Sequence, residues 1–221
     1  MSSKRSTVAV IGLSTFGSTV ARELARFGND VIGIDILDKR VNAHADDLSQ
    51  ALILDARDDA ALREAGLEQC SMALVSVGSD IEASILATMN LKTLGVSDIW
   101  AKAASRNHHR ILLKLGVTRV IHPEAEVGQR VAQMMNNPMV RDFASLGNGS
   151  YIVSFRVPAM LEGKSLEALD HGRFNLRCIG VMRGTEFRGR DGEPCDLKEK
   201  DLLILLGERG KLRDFADNLN I

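Results

Sequence analysis

The stretch VAVIGLSTFG, residues 8–17, decides the fold. Its first four residues are apolar and predict a buried strand, Gly12 predicts a turn, and the segment that begins near Gly17 has the apolar spacing of a helix. A strand, a glycine-containing turn and a helix in this order open a dinucleotide-binding domain. The middle position of that motif, normally glycine, holds Ser14. We expect its Cβ to crowd a closely apposed pyrophosphate, although the helix N-terminus still attracts phosphate.

Further apolar runs follow this strand and alternate with segments of helical period, at residues 31–34, 51–54, 73–77 and 99–101, with a sixth run ending at Ile121. The runs are nearly continuous in apolar residues, as expected for parallel strands that helices cover on both faces. Two stripes at helical spacing, Val20-Leu24-Phe27 and Ile81-Ile85-Met89, are interpreted as helix faces packed on the sheet. The pattern predicts an α/β fold, a Rossmann-like doubly wound parallel sheet.

A second, smaller unit follows these repeats. A helical segment from Val127 ends at Asn136-Asn137-Pro138, where the sequence changes to separate strands and glycine-rich turns. Strands are predicted at residues 151–157, 176–182 and 202–206, before a closing amphipathic helix with Leu212, Phe215 and Leu219. We therefore expect a Rossmann-like domain at residues 1–137 and a small α+β domain at residues 138–221.

Composition excludes several classes of function. The 221 residues carry a formal net charge of -1, which offers no electrostatic footprint for nucleic acid or an anionic membrane surface. The 3 cysteines are widely spaced without a C-x-x-C pair, so they indicate neither a disulfide framework nor a zinc site, and a reducing compartment fits best. No stretch approaches the roughly 18 apolar residues of a membrane helix. We expect the chain to reach a membrane only by docking onto an integral partner.

Polar residues follow the predicted strands at their carboxyl ends, the side of a parallel sheet where ligands bind. Asp35 ends the second strand, where a carboxylate accepts hydrogen bonds from a ribose diol and disfavours a 2′-phosphate. The alternative is that Asp35 only caps the segment that follows it. Asp55-Ala56 and Gly78-Ser79-Asp80 follow the third and fourth strands, as walls of an adenine and ribose site or as ordinary turns.

The sequence offers no convincing catalyst. A short-chain dehydrogenase needs a Tyr-x-x-x-Lys pair, but the only tyrosine is Tyr151 and the residue four positions later is Phe155. The adjacent His108 and His109 point in different directions on a helix, which makes a poor metal site, and we expect both on the solvated surface. His122-Pro123-Glu124 follows the sixth strand and is interpreted as a turn, with a catalytic or ion-binding role left open.

Several motifs, in order, resemble the KtrA/TrkA family, the regulator-of-conductance-of-potassium subunits. They are Val10-Ile11-Gly12-Leu13 with Phe16-Gly17, Val31 to Asp35, Ala83 to Thr88, Ile99 to Ala103, Leu115-Gly116-Val117, Ile121 to Glu124, Gly163 to Leu166, Ile179 to Gly184 and Asp201 to Gly207. The resemblance covers nearly the whole chain. A single copy of the two domains looks like the short Ktr-type subunit, because Trk-type chains usually carry the pair twice.

The resemblance implies an N-terminal Rossmann-like domain and a C-terminal RCK-C domain. Such subunits form dimers that assemble into an octameric ring on the cytoplasmic face of an integral membrane potassium translocator. ATP, ADP or NAD(H) binding changes the shape of the ring, and the C-terminal domain of some members binds cyclic di-AMP. We therefore expect a cytoplasmic, peripheral regulatory subunit without catalytic activity.

The family's functional positions fall on particular residues of this chain. The expected cofactor-binding residues are Gly12, Leu13, Ser14, Thr15, Phe16, Gly17, Asp35, Asp55, Ala56, Val77, Gly78 and Lys102, and Glu124 is the expected ligand of a divalent cation. The family's Gly-Arg pair is Ser14-Thr15 here, which removes a small residue and a phosphate-binding cation. An assembly subunit that has lost nucleotide binding therefore stays as an alternative, and a small NAD(P)-linked oxidoreductase is the rival from another class.

Overall fold

The structure is a computed structural model that describes residues 6–78, 80–136, 140–189 and 193–219. Contacts between Cα atoms divide the chain into two compact units, Met1–Pro123 and Glu124–Ile221. The boundary predicted between residues 137 and 138 lies outside the described residues. The helix that precedes this boundary groups with the second unit, whereas the sequence assigns it to the first.

The first unit is a six-stranded parallel sheet in the order β3-β2-β1-β4-β5-β6. Its strands are β1 (Thr7–Ile11), β2 (Asp30–Asp35), β3 (Gln50–Ile53), β4 (Met72–Val75), β5 (Asp98–Lys102) and β6 (Arg119–Ile121). Its helices are α1 (Thr15–Arg26), α2 (Asp38–Asn42), α3 (Asp59–Glu64), α4 (Ile81–Thr93) and α5 (Arg106–Lys114), with a 3₁₀ turn at Leu67–Gln69. The strand order confirms the Rossmann-like doubly wound sheet, in which the order of successive strands reverses between β1 and β4 while all strands stay parallel.

Alternate residues of each central strand enter different cores because side chains alternate across a sheet. Ala9 and Ile11 of β1 join one cluster with Leu91 of α4, while Val10 joins the other with Ala21 of α1. Both faces are apolar, which explains why these strands are nearly continuous hydrophobic runs in the sequence. The sheet therefore holds the carboxyl ends of β1 and β4 between two packed layers of helices.

The apolar stripe interpreted on α4 faces outward, which corrects the sequence interpretation. Ile81 and Met89 are 41% and 46% exposed, and the buried face of α4 consists of Ser84, Ala87, Thr88 and Leu91. Small and polar residues allow the helix to approach the sheet closely, and the hydroxyl of Thr88 is satisfied by the Ser84 carbonyl at 2.7 Å. On α1, Val20 and Leu24 pack against the core as predicted, whereas Phe27, at the C-cap, is 74% exposed. On α4, apolar spacing alone therefore identified a helix but selected the wrong face.

The second unit is a five-stranded sheet in the order β10-β9-β11-β8-β7, in which every pairing is antiparallel. Its strands are β7 (Val140–Gly147), β8 (Ser150–Arg156), β9 (Arg177–Arg183), β10 (Glu186–Arg188) and β11 (Leu202–Glu208). Its helices are α6 (Pro123–Asn136) and α7 (Arg209–Asn218), with 3₁₀ turns at Ala159–Leu161, Glu167–Leu169 and His171–Phe174. Helix α7 packs through Phe215, which meets Phe155 and Phe174 edge to face. This arrangement confirms the small α+β class.

No helix in the part of the chain that the structure describes is both long and apolar enough to cross a membrane.

Candidate functional site

The loop after β1 depends on two glycines. Gly12 has a φ of +93°, and its amide donates to the Ile34 carbonyl at 2.7 Å. A Cβ on Gly17 would lie 1.8 Å from the Gly12 carbonyl oxygen, a distance that no side chain tolerates. The first glycine therefore makes the turn and the last lets α1 approach the loop, as the motif requires.

The first turn of α1 presents unsatisfied amide donors at this loop. Ser14 is the N-cap in an extended conformation, but its side chain makes no capping hydrogen bond. The amides of Thr15, Phe16 and Gly17 therefore have no acceptor within the helix. They lie at the N-terminus of α1, which is the positive end of the helix dipole. This is the geometry that binds an anion at a helix N-terminus. Ser14 has φ -66° and ψ 177°, so the turn accepts its side chain without backbone strain.

Asp35, at the end of β2, is buried beside the same loop. Its Oδ2 accepts the amide hydrogen of Leu13 at 2.8 Å, and its Oδ1 accepts that of Leu37 at 3.0 Å. The guanidinium of Arg40 lies 3.2 Å from Oδ2. The carboxylate therefore fixes the glycine loop and caps the segment after β2, so the capping contact is present and the ribose role of Asp35 stays a prediction. Leu13 directs its amide to Asp35 and buries its side chain in the core.

Lys102 and Gly78 reach the loop from the neighbouring strands β5 and β4. The ammonium of Lys102 lies 5.9 Å from the centroid of the Phe16 ring. A Cβ on Gly78 would lie 3.3 Å from that ammonium, so the lysine side chain passes over this glycine. Val77, which precedes it, packs against the core. The structure thus brings Lys102, Phe16 and Gly78 together, and it adds a cation beside the free amides of α1.

Ser76 is a residue of the site that sequence reasoning missed. It is 2% exposed, and its hydroxyl donates to the Gly12 carbonyl at 2.5 Å, with the Ile11 carbonyl at 3.2 Å. A hydroxyl shared by these carbonyls ties the loop after β4 to the loop after β1. The only signal in the sequence was a serine near the end of the predicted run at residues 73–77, which is too common to indicate this contact.

Asp55 and Ala56 lie in the loop after β3, at the same edge of the sheet. Asp55 accepts from both Nε and Nη2 of Arg57, at 3.0 and 2.6 Å, and these side-chain hydrogen bonds lower the pKa of its carboxyl group. Ala56 is 8% exposed and belongs to the core, and the side-chain amide of Asn90 donates to its carbonyl at 3.1 Å. This loop is therefore held by Arg57 and Asn90.

Three of the five histidines, His108, His109 and His122, lie near one another, which the sequence did not predict. His108 is 1% exposed, so its prediction as solvated surface is wrong. It lies on the same face of α5 as the buried Leu112, and burial, followed by the charge of His122, lowers its pKa. His109 and His122 stack, with 2.8 Å between Nδ1 of the first and Nε2 of the second. This pair links α5 to the end of β6.

Glu124 stands in the first turn of α6 and is exposed to solvent. Within the described ranges, no three His, Cys, Asp or Glu side chains are grouped so that they could hold a metal ion. The described residues therefore supply fewer than three such ligands for a divalent cation at Glu124. A nucleotide phosphate would have to complete such a coordination sphere.

Sequence comparison places the chain among potassium uptake proteins. The model of the TrkA-N domain family matches residues 8–123. Ktr system potassium uptake protein A of Vibrio alginolyticus is 36% identical over 212 residues, which cover 96% of this chain and 96% of the relative. The protein of the same name from Bacillus subtilis (strain 168) is 30% identical over 215 residues, which cover 97% of each chain.

Solved structures share the fold at low identity. The GsuK RCK domain superposes with a TM-score of 0.66 at 16% identity, covering 96% of this chain and 47% of that chain. A GsuK channel bound to NAD superposes with a TM-score of 0.66 at 15% identity, covering 98% of this chain and 40% of that chain. GsuK bound to ADP superposes with a TM-score of 0.50 at 12% identity, covering 57% of this chain and 33% of that chain. This chain spans less than half the length of each of these structures.

The two kinds of comparison agree. The family model covers the parallel-sheet unit, and the two Ktr relatives extend over nearly the whole chain. The RCK superposition includes the antiparallel unit as well. The chain therefore belongs to the KtrA/TrkA family of potassium-uptake regulatory subunits, whose members are not enzymes.

Proposed function

We propose that this chain is a nucleotide-binding regulatory subunit that gates a membrane potassium uptake system. The observation that carries the proposal is the group of residues beside the carboxyl ends of β1 and β4, where the strand order of the sheet reverses. The loop after β1, which contains Gly12 and Gly17, is surrounded there by three groups. They are the unsatisfied amides of α1, the buried Asp35 carboxylate and the Lys102 ammonium. These are donors for phosphate and an acceptor for ribose hydroxyls at the edge where such sheets bind nucleotides.

The proposed ligand is ADP or ATP, with NAD(H) as the second choice. Phosphates would lie on the amides of Thr15 to Gly17 beside Lys102, the ribose at Asp35 and the adenine near Asp55 and Ala56. Related structures bound to NAD and to ADP support an adenine nucleotide without deciding between them. Thr15 lacks the cation that the resembled family places next to the phosphates, which favours ADP over a more highly charged ligand. A divalent cation would use Glu124 together with the phosphates.

The proposed assembly is a homo-oligomer, in which dimers form an octameric ring on the cytoplasmic face of an integral potassium translocator. Exposed apolar residues on α4 and α5 support contacts between copies: Ile81, Met89, Ile111 and Leu113 are 40–53% exposed. Nucleotide can shift such a ring between conformations only through different affinities for the two states. Light scattering at micromolar concentration tests the assembly, and a monomer with and without ligand would defeat the ring.

A second ligand site is proposed in the second unit for cyclic di-AMP. A cavity of about 410 Å³ between α6, β7, β8 and α7 has an apolar wall that includes Phe143. Arg209 and Arg213, one turn apart on α7, lie on its rim and would match the two phosphates of such a ligand. Binding that survives replacement of both arginines by methionine would exclude this cavity as the site.

The alternative of an assembly subunit without nucleotide binding has one supporting observation, because Leu13 and Arg40 already occupy Oδ2 of Asp35. Membership in a family of non-enzymes leaves no support for an oxidoreductase.

Replacing Asp35 with asparagine separates these functions. We expect ADP to bind the parent chain and to bind Asp35→Asn more weakly by about 1–3 kcal/mol, because the ribose loses a charged acceptor. Isothermal titration calorimetry measures both affinities, and circular dichroism verifies that the variant is folded. Glu23→Gln, which removes a carboxylate from an exposed pair with Arg26, is the control and should leave affinity unchanged. Equal affinity in the parent and in Asp35→Asn would refute the ribose assignment, and no binding by the parent would favour the assembly subunit.

A further inference from the structure

Arg40 occupies the carboxylate that a ribose would use. Its Nη1 donates to Oδ2 of Asp35 at 3.2 Å, and that oxygen also accepts the Leu13 amide at 2.8 Å. Oδ1 accepts only the Leu37 amide among the hydrogen bonds of the described residues. An ionised carboxylate offers about two acceptor positions on each oxygen. Oδ2 is therefore filled, and one position remains on Oδ1.

A ribose diol brings two hydroxyl donors to a site that has one free acceptor position. The Leu13 amide cannot leave Oδ2 without moving the glycine loop, because Leu13 is 2% exposed and its backbone follows the fixed turn at Gly12. Arg40 can leave more easily, since its side chain is 45% exposed on the short helix α2, while that of Asp35 is 3% exposed. Binding of both hydroxyls therefore displaces Arg40.

We propose that Arg40 determines which ribose this site accepts, an inference that rests on the proposed nucleotide site at Asp35. Arg40 competes with the 2′- and 3′-hydroxyls for Asp35 and so weakens binding of nucleotides with a free diol. When it swings away from Asp35, its guanidinium stands beside the ribose and pairs with a 2′-phosphate if one is present. The site therefore tolerates adenine nucleotides that carry a 2′-phosphate, although an acid at this position alone predicts their rejection.

The charges around Asp35 agree with this role. Arg40 forms an ion pair with Asp35. Among the ion pairs of the described residues, Asp35 has no second cation. Removing Arg40 leaves a buried carboxylate with two backbone amides and no counter-charge, so the unliganded site becomes less stable and a hydroxyl donor gains more by binding. Removing Arg40 also takes away the cation that would meet a 2′-phosphate. The same substitution must therefore move the two affinities in opposite directions.

The test measures ADP, AMP and adenosine 2′,5′-bisphosphate binding to the parent chain and to Arg40→Met by calorimetry. AMP and the bisphosphate differ only in the 2′-phosphate. We expect Arg40→Met to bind ADP and AMP about three- to fivefold more tightly, the effect of losing a half-exposed competing ion pair. The bisphosphate should bind Arg40→Met less tightly than it binds the parent. The ratio of the AMP affinity to the bisphosphate affinity should therefore rise about tenfold or more. Arg26→Met, which removes an equivalent arginine from the exposed pair with Glu23, should change neither affinity.

The outcomes separate the inference from the function on which it rests. If the parent binds nucleotide and the ratio of AMP affinity to bisphosphate affinity is the same in Arg40→Met, the role of Arg40 is overturned and the nucleotide site stands. Absence of binding to both chains at millimolar ligand overturns the nucleotide site and the inference together. Arg40→Gln provides a second variant if the methionine variant does not fold, and the same opposite changes are expected from it. Weaker binding of ADP by either variant would show that Arg40 assists the diol and would contradict the proposal.

Discussion

Gly17→Ala is expected to destabilise the first unit by about 3 kcal/mol or more and to abolish nucleotide binding. An added Cβ would lie 1.8 Å from the Gly12 carbonyl oxygen and 2.3 Å from the Ser76 hydroxyl. The carbonyl belongs to a turn fixed by a positive φ and by the bond to Ile34, so only a shift of the whole of α1 relieves the clash. Such a shift breaks the tie through Ser76 and carries the amides of Thr15 and Phe16 away from the phosphate position.

The chain offers a specific probe and a matched control for this prediction. Its single tryptophan, Trp100, lies in β5, so tryptophan fluorescence during urea unfolding reports the first unit. Gly128→Ala, followed by far-ultraviolet circular dichroism because it lies in the second unit, is the control: Gly128 is also inside a helix and has no atom within 4 Å of its added Cβ. We expect that variant to be as stable as the parent or up to about 1 kcal/mol more stable. A parent-like unfolding midpoint in Gly17→Ala would show that α1 does not approach the loop this closely.

Asp201→Ala is expected to destabilise the second unit by about 3–4 kcal/mol, because it leaves a partly buried guanidinium without its partner. Asp201 is 2% exposed and accepts from Nε and Nη2 of Arg183 at 2.9 and 2.7 Å, and from the Lys198 amide at 2.9 Å. These bonds join the start of β11 to the end of β9. Urea unfolding followed by far-ultraviolet circular dichroism measures the loss. Glu186→Ala breaks the exposed pair with Arg188 and should leave the unfolding midpoint close to that of the parent.

The same pair makes the second unit sensitive to acid. Burial raises the pKa of Asp201, but the hydrogen bonds from Arg183 and Lys198 and the charge of Arg183 lower it by more, so the native pKa lies below its ordinary value. A depressed native pKa contributes stability above the pKa of the unfolded chain, and this contribution disappears as the pH falls below about 4. The stability difference between the parent and Asp201→Ala should therefore shrink below pH 4. A difference that stays constant to pH 2 would contradict the ionised pair.

Much of the fold follows from the sequence because buried parallel strands leave a strong signal. The run from Val8 to Ile11 and the glycines at 12 and 17 were sufficient to predict β1, its turn and α1. Strand β7 was not predicted, because most of its residues are exposed and irregular pairing with β8 breaks the alternation that identifies a strand. Strand β10 has three residues, all exposed, and so lacks any apolar pattern.

The candidate site was predictable only where a residue has a fixed place in a motif. Asp35 lies at the end of a strand and Gly17 at a set distance from Gly12, so their neighbourhood follows from the fold. Arg40 and Ser76 have no such position: each reaches the loop through a side chain whose direction depends on packing. His108 was misassigned for a related reason, since a polar residue on an otherwise amphipathic helix gives no indication of which face the sheet will cover.

Hydrogen–deuterium exchange with and without saturating ADP tests most directly whether this chain binds nucleotide at the loop after β1. Nucleotide binding predicts slower exchange at the amides of Thr15, Phe16 and Gly17, which have no acceptor in the free helix, and less slowing in Asp35→Asn than in the parent when both are compared at an ADP concentration near the dissociation constant of the parent. Exchange at these amides that is identical with and without ADP in the parent chain would contradict a nucleotide-gated subunit.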